Sequence, residues 1–453
     1  MPRYEYDDGT SQKFWEINII NDTYEVCYGK IGTKGQISIK NFSSDQEAQL
    51  AADKITASKV KKGYGLVGKS SPSPSPVNPI DELVRSIQID PDNIEAWQVY
   101  SDYLQTQNDP RGELIALGIA IEKSPRSKKG KEAKVRFNQI FEESKEAGLG
   151  VAAEYINDTK LFSITWKYGY LLNVRVAFHY DFVGPSTHKL LGALLKGTAG
   201  HFIQTISIGV TEGMEDADAC FSDCTHAIVS GGRRVAVKKL TIGDFESDEC
   251  EISCSTIGYC GKVYAVLPNL EQLIVHGGDI ELGKIKHKNL KTLSICTGGL
   301  SATAVKAVAK ADLPALEMLI VYFGAVFYGA EGEVGMLKPL FEGKGYPALK
   351  QLGLMNALFE NEIVQALVKA PIVKQLISLD LSMGTMTDEG GQILIDNVDL
   401  FGHLDHINVS DNFLTEKITE KLEKVYPKKM TIGDQKAPNV YDGKVYTYVS
   451  VAE

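Results

Sequence analysis

What the chain lacks narrows its class before anything in it is read. Its 453 residues contain no run of 18 apolar residues, so no segment is expected to span a membrane. The opening residues, MPRYEYDDGT, are polar and acidic and lack the apolar stretch of a secretory signal, so a cytoplasmic protein is expected. Cysteine is sparse and odd in number, seven residues spread thinly. Without export these are expected to be free thiols rather than a disulfide framework. An excess of positive charge is also missing. A net charge of −10 argues against coating nucleic acid with the whole surface, which needs clustered Lys and Arg, but it leaves room for a local basic patch.

Signatures of common chemistries are missing too. No G-x-x-x-x-G-K-[ST] loop occurs, no G-x-G-x-x-G stands between a strand and a helix, and no G-x-S-x-G elbow is present. Cys220, Cys224, Cys250, Cys254, Cys260 and His226 offer zinc-type ligands, but at loose spacing. His403 and His406 have no third ligand near them in sequence. The expectation is a protein that is not an enzyme and holds no metal or cofactor.

What is present is organised in blocks. The stretch KSSPSPSPVNP, 69–79, alternates Ser and Pro, which continues neither a helix nor a central strand and favours an extended spacer. It sets off residues 1–68 as one unit. Residues 80–159 read as helical: Asp81 is placed to cap a helix on which Leu83, Val84 and Ile87 share a face. Residues 124–136 are a basic connector or a solvated helix.

From about residue 160 the pattern apolar-x-x-apolar-x-apolar returns nine times, starting at Leu171, Ile203, Val237, Leu270, Leu290, Leu316, Leu349, Leu376 and Leu404. Helical patterns lie between, such as Ile363, Val364, Leu367 and Val368, or Ile418, Leu422 and Val425. This predicts an α/β chain: a solenoid over 160–427, with 428–453 closing its far end, because an open end would expose core. A closed α/β domain of parallel strands has the same alternation and stays as the rival.

Three segments carry resemblances. Residues 1–68 resemble the WGR domain through Lys13-Phe14-Trp15-Glu16-Ile17, the run Tyr28 to Gln36, Ser43 to Ala52, and Lys61-Lys62-Gly63-Tyr64. The family's name-giving Trp-Gly-Arg stands here as Tyr28-Gly29-Lys30. Residues 80–117 resemble the bacterial motif that often precedes leucine-rich repeats, through Asp90-Pro91-Asp92-Asn93, Tyr100 to Leu104 and Asn108 to Ile115. The repeats resemble leucine-rich repeats, whose strand reads L-x-x-L-x-L. The assembly is similar to bacterial WGR proteins loosely grouped with MolR-like regulators.

The WGR resemblance implies a second target for the small unit, either a protein or a nucleic-acid end held by an aromatic ring and cations. Tyr28 offers the ring, and Lys30, Lys34, Lys61 and Lys62 the charge. Lysine is a point charge where arginine is a fork, so Lys30 implies weaker geometric selectivity for phosphate. Residues 26–68 hold seven Lys against three acids. On the repeats, residues between the inward leucines point to the opposite face. Read strand by strand that face is nearly uncharged, with Ile274, His276, Met318, Ile320, Tyr322 and Met355 at its middle. Such a surface suits a protein partner, unless a loop or the C-terminal tail covers it. The reading is an adaptor that grips a protein on the repeats, with a nucleic-acid-binding regulator or DNA-damage-type sensor as the alternative.

Overall fold

The computed structural model describes residues 3–7, 11–20, 23–33, 35–42, 45–66, 79–213 and 219–452. Most of the Ser/Pro spacer and Lys34 lie outside these residues. The chain divides into two compact units, Met1–Pro79 and Ile80–Glu453.

In the smaller unit β1 (Arg3–Asp7), β2 (Gln12–Ile20), β3 (Thr23–Lys30), β4 (Gln36–Asn41) and β5 (Gly65–Leu66) form one antiparallel sheet in the order β4-β3-β2-β1-β5. One helix, α1 (Asp45–Lys61), accompanies it. Strand alternation sends Trp15, Ile17, Tyr24 and Val26 to one face, where they pack with Ala52 of α1. Trp15 is 1% exposed, so this unit has its own core. Phe14 points the other way and is still buried, under the Arg3 guanidinium and against Gly35. A Cβ at Gly35 would sit 2.6 Å from the Phe14 ring, and its φ of +72° also requires glycine.

The larger unit opens with four helices, α2 (Pro79–Ile89), α3 (Ile94–Thr106), α4 (Pro110–Lys123) and α5 (Lys128–Leu149). Asp81 does not cap: the helix already begins at Pro79, and Asp81 lies in its first turn, where a carboxylate suits the dipole. Asn93 caps α3 by accepting from Ala96 N–H, and Asp109 caps α4 by accepting from Arg111 N–H, which also pairs with it. Gly112 lies against the Ser101 carbonyl, where a Cβ would come within 2.7 Å. Residues 128–136 belong to α5, which Ser127 caps, so the basic stretch is mostly helix.

An eleven-stranded sheet follows. Its strands are β6 (Phe162–Lys167), β7 (Tyr170–Val176), β8 (Thr205–Ile208), β9 (Lys239–Ile242), β10 (Gln272–His276), β11 (Thr292–Cys296), β12 (Met318–Tyr322), β13 (Gln351–Met355), β14 (Ser378–Asp380), β15 (His406–Asn408) and β16 (Met430–Thr431). They are adjacent in chain order; β6 and β7 pair antiparallel and every later pair is parallel. The nine sequence repeats are β7 to β15. Equivalent leucines align across strands, as in Leu273↔Leu293 and Leu293↔Leu319. Their side chains join one continuous core with those of α6 (Thr187–Lys196), α7 (Ser222–Ser230), α8 (Ala302–Ala309), α9 (Glu360–Leu367), α10 (Asp388–Asp396) and α11 (Glu416–Val425). On β10 to β12 burial alternates strictly, leaving every second residue half-buried on the opposite face.

Residues 428–452, expected to close the far end, add one strand and then turn back. After β16 pairs with β15, a hairpin of β17 (Asn439–Tyr441) and β18 (Lys444–Tyr446) turns the chain round. The tail then returns over the loops that follow the strands. Ser450 N–H donates to the Met383 carbonyl at 2.9 Å, and Val451 exchanges two bonds with the Asn356 side chain, at 2.8 and 2.5 Å. A Cβ at Gly298 would collide with Ala452. The tail therefore covers strand exits, and these bonds fall outside the strand residues of the open face.

Candidate functional site

The first candidate site belongs to the smaller unit. Antiparallel pairing sets Lys13 opposite Lys30 and Trp15 opposite Tyr28. The last turns of α1 add Lys59, and the chain leaving the helix adds Tyr64. Together with Phe14, Gly29, Thr33, Gly35 and Gln36 these residues line a cleft of about 640 Å³. It holds three lysines and three aromatic rings and no carboxylate. Two acids of the adjoining strands, Glu5 and Glu16, are engaged by Arg3. Among the described residues Lys13, Lys30 and Lys59 make no ion pair. Lys59 lies 5.8 Å from the Trp15 ring and 5.0 Å from the Tyr64 ring. Burial, then Lys62 and Lys13, depress its pKa. Among the described residues its charge has no counterion, and it is partly stripped of water, the condition under which an anion binds well.

Of the residues singled out in the sequence, Tyr28 and Lys30 stand in this cleft, and the Tyr28 side chain is exposed. Lys61 and Lys62 are exposed at the helix end outside its lining, with Lys62 acting on Lys59 through charge. Lys34 lies outside the described residues. Lys13, Lys59, Phe14 and Tyr64 were not singled out as a site. Strand parity offers Lys13 once β2 and β3 are in register, whereas Lys59 needs the phase of α1 against the sheet.

The open sheet face is the second surface. Ile274, Met318, Ile320 and Tyr322 lie on it half-buried. Ser294 stands between Ile274 and Ile320, so the apolar cluster is interrupted. His276 is held within the fold: Nδ1 lies 2.9 Å from the Gly243 carbonyl and the ring stacks on Phe245 at 4.5 Å. Met355 leaves the set. It is 8% exposed because Gly353 beside it has no side chain and the thioether fills that space. Burial first, then Cys296 and Asp380, pushes the Tyr322 hydroxyl up to about 12. The face carries few charges, Lys239, Arg175 and Asp380 among them. Arg175 pairs with Asp244 at 3.1 Å, and Asp380 accepts from Ser382 Oγ and Asn408 Nδ2.

None of the seven cysteines is joined in a disulfide. Among the described residues no three ligand-type side chains gather as a metal would need, and Cys224, Cys250 and Cys260 are buried. No helix among them is long and apolar enough to cross a membrane.

Comparison with known proteins assigns the smaller unit. The WGR domain family profile matches residues 3–71, so this part of the chain is a WGR domain. Two Escherichia coli (strain K12) proteins are similar over short stretches. YfeS is 40% identical over 62 residues, 14% of this chain and 25% of its own length. YehF is 42% identical over 64 residues, 14% of this chain and 23% of its own. The chain thus spans about a quarter of the length of the curated relatives it matches. A solved structure, a Bacteroides fragilis protein, is similar throughout: 27% identity, 96% of this chain and 97% of that chain, TM-score 0.53.

Proposed function

We propose that the strand array is a leucine-rich-repeat solenoid and that the chain is a non-enzymatic adaptor, binding a protein partner on the open face of the array and a second target through the WGR domain. The observation that carries the first half is the run of parallel strands with one face packed into a continuous core and the other open and nearly uncharged, Arg175 on it being paired with Asp244. A neutral face bearing Ile320 and Tyr322 favours aromatic and aliphatic anchors of a folded or extended polypeptide. The four helices that precede the strands cap the near end, as a solenoid requires. The test uses the full chain as bait beside its Ile320→Ala/Tyr322→Ala variant. Support is one prey retained by the parent and by Lys30→Ala and lost from the double variant. Identical prey sets from all three baits would end the reading.

The cleft favours one chemistry for the second target, a nucleic-acid strand. Three unpaired lysines match phosphate, and Tyr28 and Tyr64 offer rings for base stacking. Fluorescence anisotropy of a labelled oligonucleotide with the full chain is the test. Each lysine removed, Lys13→Ala or Lys30→Ala, is expected to flatten the salt slope by about one unit in log–log form. Salt-independent binding, or none at low salt, would leave protein docking as the role of the domain.

A further inference from the structure

A second basic cavity, independent of both surfaces above, lies within the larger unit. It measures about 400 Å³ and sits where α6 and α7 end. Lys196, His201, Arg233 and Arg234 line it, and no carboxylate does. Among the described residues none of the four makes an ion pair. Among the other arginines of this unit, Arg111 pairs with Asp109, Arg136 with Glu113 and Arg175 with Asp244, whereas Arg85 and Arg126 make no ion pair among the described residues.

Arg234 decides the matter. One Nη donates to the Leu195 carbonyl at the end of α6, while its Nε is buried and has no acceptor. Burial lowers its pKa and no neighbouring acid offsets that. His201 is lowered in turn by burial and by the charges of Arg111 and Arg234. Cations at helix C-termini have a structural use, because the last carbonyls carry partial negative charge. That use explains Lys196 and the bonded Nη of Arg234. It leaves the orphaned Nε, Arg233 and His201 unexplained. A buried donor with no partner is costly to keep, so its retention calls for an acceptor.

We infer that this cavity binds the phosphoryl group of a small phosphorylated ligand. A phosphate monoester carries about −1.5 to −2 charge and offers three acceptor oxygens. Arg234 Nε takes one of them, Lys196 and Arg233 surround the rest with positive charge, and the His201 ring, kept from protonating by burial and its cationic neighbours, offers an N–H donor. The volume lies near the lower end of the roughly 300–1,000 Å³ found for small-molecule sites, which sets the size of the ligand.

Isothermal titration of the full chain with inorganic pyrophosphate at low salt tests this. One saturable site is expected. Lys196→Ala/Arg233→Ala alters two exposed residues, so the fold is spared, and it should weaken binding about tenfold or more. Arg234→Gln, which also loses the Leu195 contact, should weaken it at least as much. Lys13→Ala/Lys30→Ala, which changes only the WGR cleft, should leave it unaltered. No saturable site, or loss in the Lys13/Lys30 variant with retention in the Lys196/Arg233 variant, would overturn the proposal. So would displacement of pyrophosphate by an oligonucleotide at a tenth of the concentration needed with glucose 6-phosphate, which would make the site a nucleic-acid contact.

Discussion

The WGR domain and the strand array bury hydrophobic side chains in opposite ways. The domain closes a core between one sheet and one helix, around Trp15. In the array no single strand has a core of its own; Leu293 is sealed only because Leu273 and Leu319 lie on either side. A fault in the first should stay local, and a fault in the second should spread to both neighbours. Trp15→Ala is expected to cost about 3–5 kcal/mol and Leu293→Ala about 2–5 kcal/mol, the largest effects foreseen here. Hydrogen exchange distinguishes their reach. Trp15→Ala should release amides of the WGR domain and leave the array protected, whereas Leu293→Ala should raise exchange in β10 and β12 as well as β11. Protection lost throughout the chain in the first variant would break the comparison.

A second contrast concerns charge. The WGR cleft keeps lysines unpaired at a surface, while the array buries a carboxyl. Glu360 is 0% exposed; one oxygen accepts from Ala357 N–H at 3.2 Å and the other has no partner. Burial raises its pKa well above the ordinary 4.5, with Asp380 adding to the rise and the Ala357 bond and Lys436 opposing it. The sign follows from linkage: the unfolded chain releases this proton first. The contribution to stability is therefore full below about pH 4.5 and is lost as pH rises toward the folded pKa. Glu360→Gln keeps an acceptor for Ala357 and removes the ionisation. Above neutral pH it should raise the melting temperature by about 2–4 °C, and at pH 4 the two proteins should melt alike. An equal gain at both pH values would show that the charge is not the cause.

These contrasts explain what was legible in the sequence. The array was, because equivalent residues recur: every start from Leu171 to Leu404 became a strand in the expected order. A period is visible in one chain, whereas the junctions that hold it depend on single residues. Asn412 is one. Fully buried, it donates to the Leu381 and Val409 carbonyls and accepts from Met386 N–H, yet nothing periodic marks it. The burial of Met355 followed from the missing side chain at Gly353, a neighbour two residues away that the alternation rule ignores. In the WGR domain Tyr28 and Lys30 were readable from the motif, but Lys13 and Lys59 join them only through pairing and helix phase.

The returning tail sharpens the comparison further, since it belongs to neither packing scheme. Lys436 anchors it. Its ammonium donates to the Gly384 and Tyr448 carbonyls and to Ser450 Oγ, at 3.0, 2.8 and 3.0 Å, and lies near the Phe413 and Tyr448 rings. Burial pushes its pKa down to about 8. Lys436→Ala should raise amide exchange at Ser450 and Val451 about tenfold or more while α11 stays protected. Unchanged exchange there would mean that Asn356 alone holds the tail.

The smallest expected effect concerns the residues just before the strands. Lys238, Glu271, Lys291, Glu317 and Lys350 follow one another, each backbone N–H bonded to the carbonyl of the residue before it in the row. Their charges alternate, and Lys291 meets Glu271 at 2.6 Å and Lys350 meets Glu317 at 3.8 Å. All four of these side chains are at least 40% exposed, so water and salt screen the pairs. The backbone bonds, which no side-chain change removes, carry the stacking. Glu317→Lys sets three lysines in a row and is therefore expected to lower the melting temperature by only about 1–2 °C, a difference that vanishes in 1 M salt. A larger loss that survives salt would make the charged row part of what holds the strands in register, and the contrast between local and stacked packing would then have an electrostatic component.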